Sequence, residues 1–172
     1  MFQVQSSKTI CLNPHLNMTI GIDGSRAVKT FKTGTEHYSL RIIQEIINLP
    51  CKDSFRIYVP RPLPVNFKTT PGTQIKTMPF PRLWSQIRLS LEVKSNPPEV
   101  LFEPAHTIPV FHSHPVVVTL HDLGFKYFSE LYTPFERFYH NFSMDFSVRH
   151  AQKIIAVSQA TAKDLIKFYP ES

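Results

Sequence analysis

The sequence predicts an α/β fold, a Rossmann-like three-layer domain built on a parallel sheet, and three observations predict it. Short apolar or β-branched runs alternate with helical patterns along most of the chain. The run Val116 to Leu120 is apolar or β-branched throughout, as in a strand covered on both faces. Polar residues follow the predicted strands at once, as they do at the carboxyl edge of a sheet where ligands sit.

The first strand opens at Met18 in MTIGID. Residues 1–17 show no periodicity and are expected to be a disordered extension, which leaves the domain over 18–172. A polar loop from Asp23 to Lys32 leads to Thr33-Gly34-Thr35-Glu36, a capping box that starts a helix. Leu40, Ile43 and Ile47 continue it at helical spacing, and Pro50 stops it. Phe55 to Val59 is a second strand and Gln74 to Met78 a third. Leu83, Trp84, Ile87 and Leu91 space a helix that ends before Pro97. Val100 to Phe102 and Val116 to Leu120 are the fourth and fifth strands. Thr133-Pro134-Phe135-Glu136 is a second capping box with proline at the first helical position. Phe135, Phe138, Phe142 and Phe146 form an aromatic stripe on that helix, expected to pack in the core. Lys153 to Val157 is the sixth strand. Ser158 caps the last helix, where Ala162, Leu165 and Phe168 face inward and Pro170 ends it.

Composition narrows the function. At 172 residues with 42 % apolar content the chain suits one domain with a sizeable core. It has no apolar run near 18 residues and no signal-peptide pattern at its start. Cys11 and Cys51 make neither a disulfide framework nor a metal spacing, so a reducing, cytoplasmic setting is expected. The net charge of +6 favours anionic partners, a phosphate ligand or an acidic membrane surface. The basic residues are scattered, which argues against nucleic acid. Only 5 glycines are present, and no GxGxxG or GxxxxGK loop is among them. That weakens an ordinary nucleotide-binding Rossmann domain.

If the sheet is parallel, Asp23, Glu103, His106, His121, Asp122 and Ser158 gather at one edge. The helix that starts near Gly34 points its N-terminus there, a setting suited to an anion. His121 is the strongest candidate, able to hydrogen-bond a hydroxyl or phosphate and to titrate near neutrality. Asp122 would orient it or hold the loop. The alternative is a histidine bonded to backbone at a strand end. No GxSxG elbow supports a serine hydrolase. A metal phosphohydrolase would need more His and Asp ligands on helices, and His112-Ser113-His114 lacks a third ligand.

The order GIDGSRAVKTFKTGTEHYSLRII, VLFEPAHTIP, VVVTLHDLGF and AQKIIAVSQATAKDLIKFYP resembles the N-terminal half of family 4 glycosyltransferases over about Met18 to Pro170. The resemblance implies half of a GT-B fold, the acceptor-side domain of a retaining enzyme of hexosyltransferase type. Such enzymes move a sugar from a nucleotide-sugar to an acceptor in the cleft between two domains, with the nucleotide-sugar as co-substrate and no metal or other cofactor. Carried over, His121 is the catalytic histidine that contacts the donor sugar. Gly34 and Thr35 form the glycine turn near the donor phosphates and the acceptor, and Ser158 is the serine of IIAVS. Asp23, His106 and Asp122 complete the expected substrate-binding set.

Two departures from the family pattern stand out. Glu36 and His37 occupy a stretch where many relatives carry a second small residue. The chain also stops at Pro170-Glu171-Ser172, where relatives continue into the donor-binding domain. The expectation is therefore a domain inactive alone, with a sugar, glycan or lipid-linked acceptor and a separate donor-binding domain as partners. The alternative is a non-catalytic glycan- or partner-binding module derived from such an enzyme. Arg82, Arg88 and Lys94 flank Leu83 and Trp84, so the resemblance also implies that this helix can rest on anionic lipid, peripheral to a membrane. The competing expectation is that Leu83, Ile87 and Leu91 pack on the sheet.

Overall fold

The computed structural model describes residues 17–170. The extension expected over 1–17 lies, apart from Asn17, outside the described residues, as do Cys11, Glu171 and Ser172. Six strands form one sheet: β1 Thr19–Asp23, β2 Ser54–Val59, β3 Thr73–Thr77, β4 Val100–Glu103, β5 Val116–Leu120 and β6 Lys153–Ala156. Every pairing is parallel, in the order β3-β2-β1-β4-β5-β6. The chain therefore winds outward from β1 to β3, then crosses to β4 on the other side of β1. That reversal opens a crevice beyond the carboxyl ends of β1 and β4.

The helices are α1 Gly34–Ile47, α2 Ser90–Ser95, α3 Gly124–Tyr127, α4 Pro134–His150 and α5 Gln159–Phe168. No described helix is long and apolar enough to cross a membrane. Both capping boxes form. The Glu36 carboxylate accepts the Thr33 N–H at 3.0 Å and the Thr33 hydroxyl, and Glu136 accepts the Thr133 N–H at 2.9 Å. Ser158 caps α5, accepting the Thr161 N–H at 3.0 Å.

The pleat divides the core in two. Ile22, Ile57 and Phe102 pack beneath Ile43 and Ile47 of α1. Leu101, Val116, Val118 and Leu120 face the other side, under Leu89 and Val93 and under Met144 of α4. Gly21 lies on that second face because a Cβ there would come within 2.8 Å of Pro98 and 3.0 Å of the Tyr58 ring.

Two helices turn a different face to the sheet than their spacing predicts. In α4 the buried positions are Ser143, Met144 and Ser147, and the phenylalanine stripe points outward. Phe135 is 69 % exposed and Phe138 68 %, so the stripe is not core packing, although Phe146 at its end is partly buried. Small serines let α4 approach the loop after β4. Ser147 Oγ donates to the His106 carbonyl at 2.6 Å, and Ser143 Oγ to Thr107 Oγ1 at 3.2 Å. A phenylalanine would not fit at those positions. The periodicity marks two faces and does not say which one is inside.

Before α2 the chain makes a π-helical turn, Ser85–Leu89. The wider turn shifts the helical register. Trp84, Leu89 and Val93 become the buried side chains, while Leu83, Ile87 and Leu91 are exposed. Leu83, Ile87 and Leu91 therefore do not pack on the sheet. Burying a leucine or valine contributes about 1.5–3 kcal/mol, which favours the face that seats Leu89 and Val93 fully.

Candidate functional site

The register pairs Ile22 with Phe102, so Asp23 and Glu103 end their strands side by side at the switch point. Above them lies a cavity of about 410 Å³, walled by the loops after β1, β2, β3 and β4 and by the first turns of α4. Asp23, Ser25, Arg26 and Lys29 come from the first loop, and Arg61 from the second. Phe80, Arg82 and Trp84 come from the third, Ala105 and Thr107 from the fourth, and Phe135 and Tyr139 from α4.

Asp23 organises the floor. Its Oδ1 accepts the Ser25 N–H at 2.6 Å and its Oδ2 accepts the Ser85 hydroxyl at 3.0 Å. Glu103 is buried behind it, with no hydrogen-bond partner at Oε1. Burial first, then the neighbouring Asp23 charge, pushes the Glu103 carboxyl well above the usual range. Two carboxylates in one low-dielectric wall resist joint ionisation, which favours the protonated form of Glu103.

His121 lies on the other face. Val118 and Leu120 point toward α4, so the next odd position turns toward α1. There the His121 ring meets Tyr38 edge-on, with centroids 4.9 Å apart. Its Nε2 is 2.8 Å from the Pro104 carbonyl. A carbonyl only accepts, so Nε2 carries a proton and donates in that bond, and Nδ1 is the ring nitrogen left outside it. The ring is thus bonded to backbone, as the structural alternative expected, and still has one nitrogen to offer. Asp122 does not orient it. Its Oδ1 accepts the Gly124 N–H at 2.9 Å and so holds the loop. Thr161, under the Ser158 cap, donates to the His121 carbonyl at 2.8 Å, which ties α5 to the end of β5.

His106 lies near both Arg26 and His121. Burial, then the nearby Arg26 charge, lowers its pKa to about 4, so it is neutral near pH 7. Its ring is 5.8 Å from that of His140 on α4. Gly34 and Thr35 open α1 one turn before Tyr38, and a Cβ on Gly34 would meet nothing within 4 Å. Glu36, the residue at the departure from the family pattern, is buried and engaged. Burial raises its carboxyl, but the Thr33 hydrogen bonds and the Arg26 charge outweigh that and leave it lowered.

The expected residues therefore share one edge but form two groups. Asp23 lines the cavity with Glu103 behind it, while His121 lies on the α1 side against Tyr38, one turn from Gly34 and Thr35; Asp122 holds the loop after β5 and Ser158 caps α5. Sequence reasoning missed Arg26, Lys29, Arg61, Arg82 and Ser85. Their signal was present, because each lies within a few residues of a strand's carboxyl end or of the turn that follows it. Among the described residues no three metal-ligating side chains cluster.

The family model described as Glycosyltransferase Family 4 matches residues 50–172, which is more than half of the chain. No curated protein is significantly similar to the chain.

Proposed function

The chain belongs to glycosyltransferase family 4, and on that premise we propose that it forms the acceptor-side wall of a two-domain sugar-transfer site. The donor is a nucleotide-sugar held by a second domain, transfer proceeds with retention, and no metal takes part. The observation that carries the reading is the family match over 50–172, which spans β5 with His121 and β6 with Ser158.

His121 acts through Nδ1. With Nε2–H anchored on the Pro104 carbonyl, the ring is held in one orientation and its free nitrogen accepts from a sugar hydroxyl. The open space over Gly34 leaves room for a ligand group close to the start of α1, where the helix dipole favours negative charge. Preorganised dipoles of this kind stabilise charge that develops on a leaving diphosphate. One wall of a cleft supplies only part of that positioning. Residues 1–172 alone are therefore expected to bind acceptor sugars and to turn over no nucleotide-sugar. The nucleotide-sugar donor puts the reaction in the cytoplasm.

The exposed line Leu83, Ile87 and Leu91, with Arg82 and Lys94 beside it, supports contact with an anionic membrane surface. Phe111 continues that line, under the Lys94 ammonium at 5.5 Å.

The test is NMR titration of the labelled chain with a panel of mono- and disaccharides, free and as phosphates. Shifts at Gly34, His121 and Thr161 that are lost in His121→Ala would support the reading. Silence toward every sugar compound, or turnover of a nucleotide-sugar by the chain alone, would overturn it.

A further inference from the structure

We infer that the cavity at the β1–β4 switch point is a subsite for a phosphate or diphosphate group carried by the acceptor. The inference rests on the glycosyltransferase reading and names the substrate class of that site.

Four basic side chains line the cavity, Arg26, Lys29, Arg61 and Arg82. They come from the loops after three different strands, so no basic run in the sequence explains their meeting. Only Arg26 has an acidic partner, Glu36 at 3.4 Å. Among the described residues Lys29, Arg61 and Arg82 have none. Asp23 is the one acidic residue in the lining, and both its oxygens already accept hydrogen bonds from Ser25 and Ser85. Unpaired like charges converging on one concavity focus a positive field there. Guanidinium groups match a phosphate with paired hydrogen bonds, and several cations from different directions suit a tetrahedral, multiply charged group.

The turn that carries Arg82 is held in place. Leu83 adopts φ 52°, a left-handed conformation that costs a leucine about 1–2 kcal/mol. The structure retains it because both sides are tied down. The Trp84 indole N–H donates to the Met78 carbonyl at 2.7 Å, and Ser85 is bound to Asp23. Strain held this way at a cavity rim is typical of a ligand clamp.

The rest of the acceptor is indicated by what surrounds the cations. Phe80, Phe135 and Tyr139 give the cavity aromatic walls. Two exposed apolar lines leave its rim, Leu83–Ile87–Leu91 along the π-helical turn into α2 and Phe135–Phe138–Phe142 along α4. This arrangement favours a lipid-linked phosphate over a water-soluble sugar phosphate as the source of the group.

The test compares matched pairs on the full chain by calorimetry: farnesyl diphosphate against farnesol, and glucose 6-phosphate against glucose. The double variant Arg61→Gln, Arg82→Gln is measured beside the native sequence. Both arginines are exposed, so the variant is expected to fold normally, and its Tm checks this. The phosphate-bearing member should bind at least tenfold more tightly than its neutral partner, and the variant should lose that advantage. Success with farnesyl diphosphate identifies a lipid source, and success with glucose 6-phosphate alone identifies a soluble one. Phosphates that bind no better than their neutral partners, or equally well to the variant, overturn the subsite. If neutral sugars still shift the crevice resonances in that case, the glycosyltransferase reading stands without it.

Discussion

Ser85 Oγ donates a 3.0 Å hydrogen bond to Asp23 Oδ2, joining two residues 62 positions apart. The bond fastens the start of the π-helical turn to the end of β1. It fixes the wall of the cavity that carries Arg82. Asp23 is buried, so a donor removed from it is not replaced by bulk water.

Ser85→Ala should therefore destabilise the domain. A hydrogen bond to a charged group contributes about 1.5–3 kcal/mol, and each kcal/mol lowers the Tm by about 2–4 °C at this size. Thermal unfolding followed by circular dichroism measures it. An unchanged Tm would mean that the turn is held by Trp84 alone.

Glu103→Gln should stabilise the domain at neutral pH. The Glu103 carboxyl is raised in the folded state above its ordinary value of 4.5. The folded state therefore binds the proton that the unfolded chain releases. Stability on this account is full below about pH 4.5 and declines as pH rises toward the folded value. Glutamine keeps the shape and has no proton to lose. A higher Tm at pH 7 and a flatter Tm profile above pH 5 are expected; the same profile in both proteins would show that Glu103 is ionised at no cost.

His114 is buried and neither ring nitrogen has a partner. Burial, then the charge of His112, lowers its pKa to about 4 from 6.5. The unfolded chain takes up a proton before the folded one, so stability is full above about pH 6.5 and falls as pH drops toward 4. His106 adds to the same loss. His114→Leu should raise the Tm more at pH 5 than at pH 7.5. An equal rise at both would assign the gain to packing alone.

Gly24 and Gly34 should respond in opposite ways to alanine. At Gly24 a Cβ would lie 2.7 Å from Val59 Cγ1 and 3.0 Å from Ile57 Cγ2. Overpacking of that kind costs about 1–3 kcal/mol. At Gly34 the space is open, and alanine is the better helix former. Gly34→Ala should keep or raise the Tm while weakening the response to sugar compounds. A Tm fall at Gly34 as large as that at Gly24 would contradict the open geometry.

Vesicle co-sedimentation tests the outward face of the π-helical turn and α2. Ile87→Ser with Leu91→Ser should reduce binding to anionic vesicles and leave the Tm unchanged, because both side chains are exposed. Equal sedimentation with neutral and anionic vesicles, or none with either, would remove the membrane from the account.

The sequence by itself determined the alternation of strands and helices, both capping boxes, and the edge at which polar residues collect. Those are local properties. Capping needs only Thr33 with Glu36, or Thr133 with Glu136, three residues apart, and a strand is marked by its own β-branched run. Tertiary structure alone decided which helix face is inside. Spacing made a stripe of Phe135, Phe138 and Phe142, but close approach of α4 to the loop after β4 needs Ser143 and Ser147 instead. The π-helical turn likewise moved burial from Leu83, Ile87 and Leu91 to Trp84, Leu89 and Val93. The pleat sent His121 toward α1 and left Asp23 and Glu103 on the opposite face. Arg26, Arg61 and Arg82 meet only because β1, β2 and β3 run parallel in succession across the sheet, so the loops after them close on one cavity. Long-range proximity is set by strand order, and strand order depends on how the whole sheet buries its two faces.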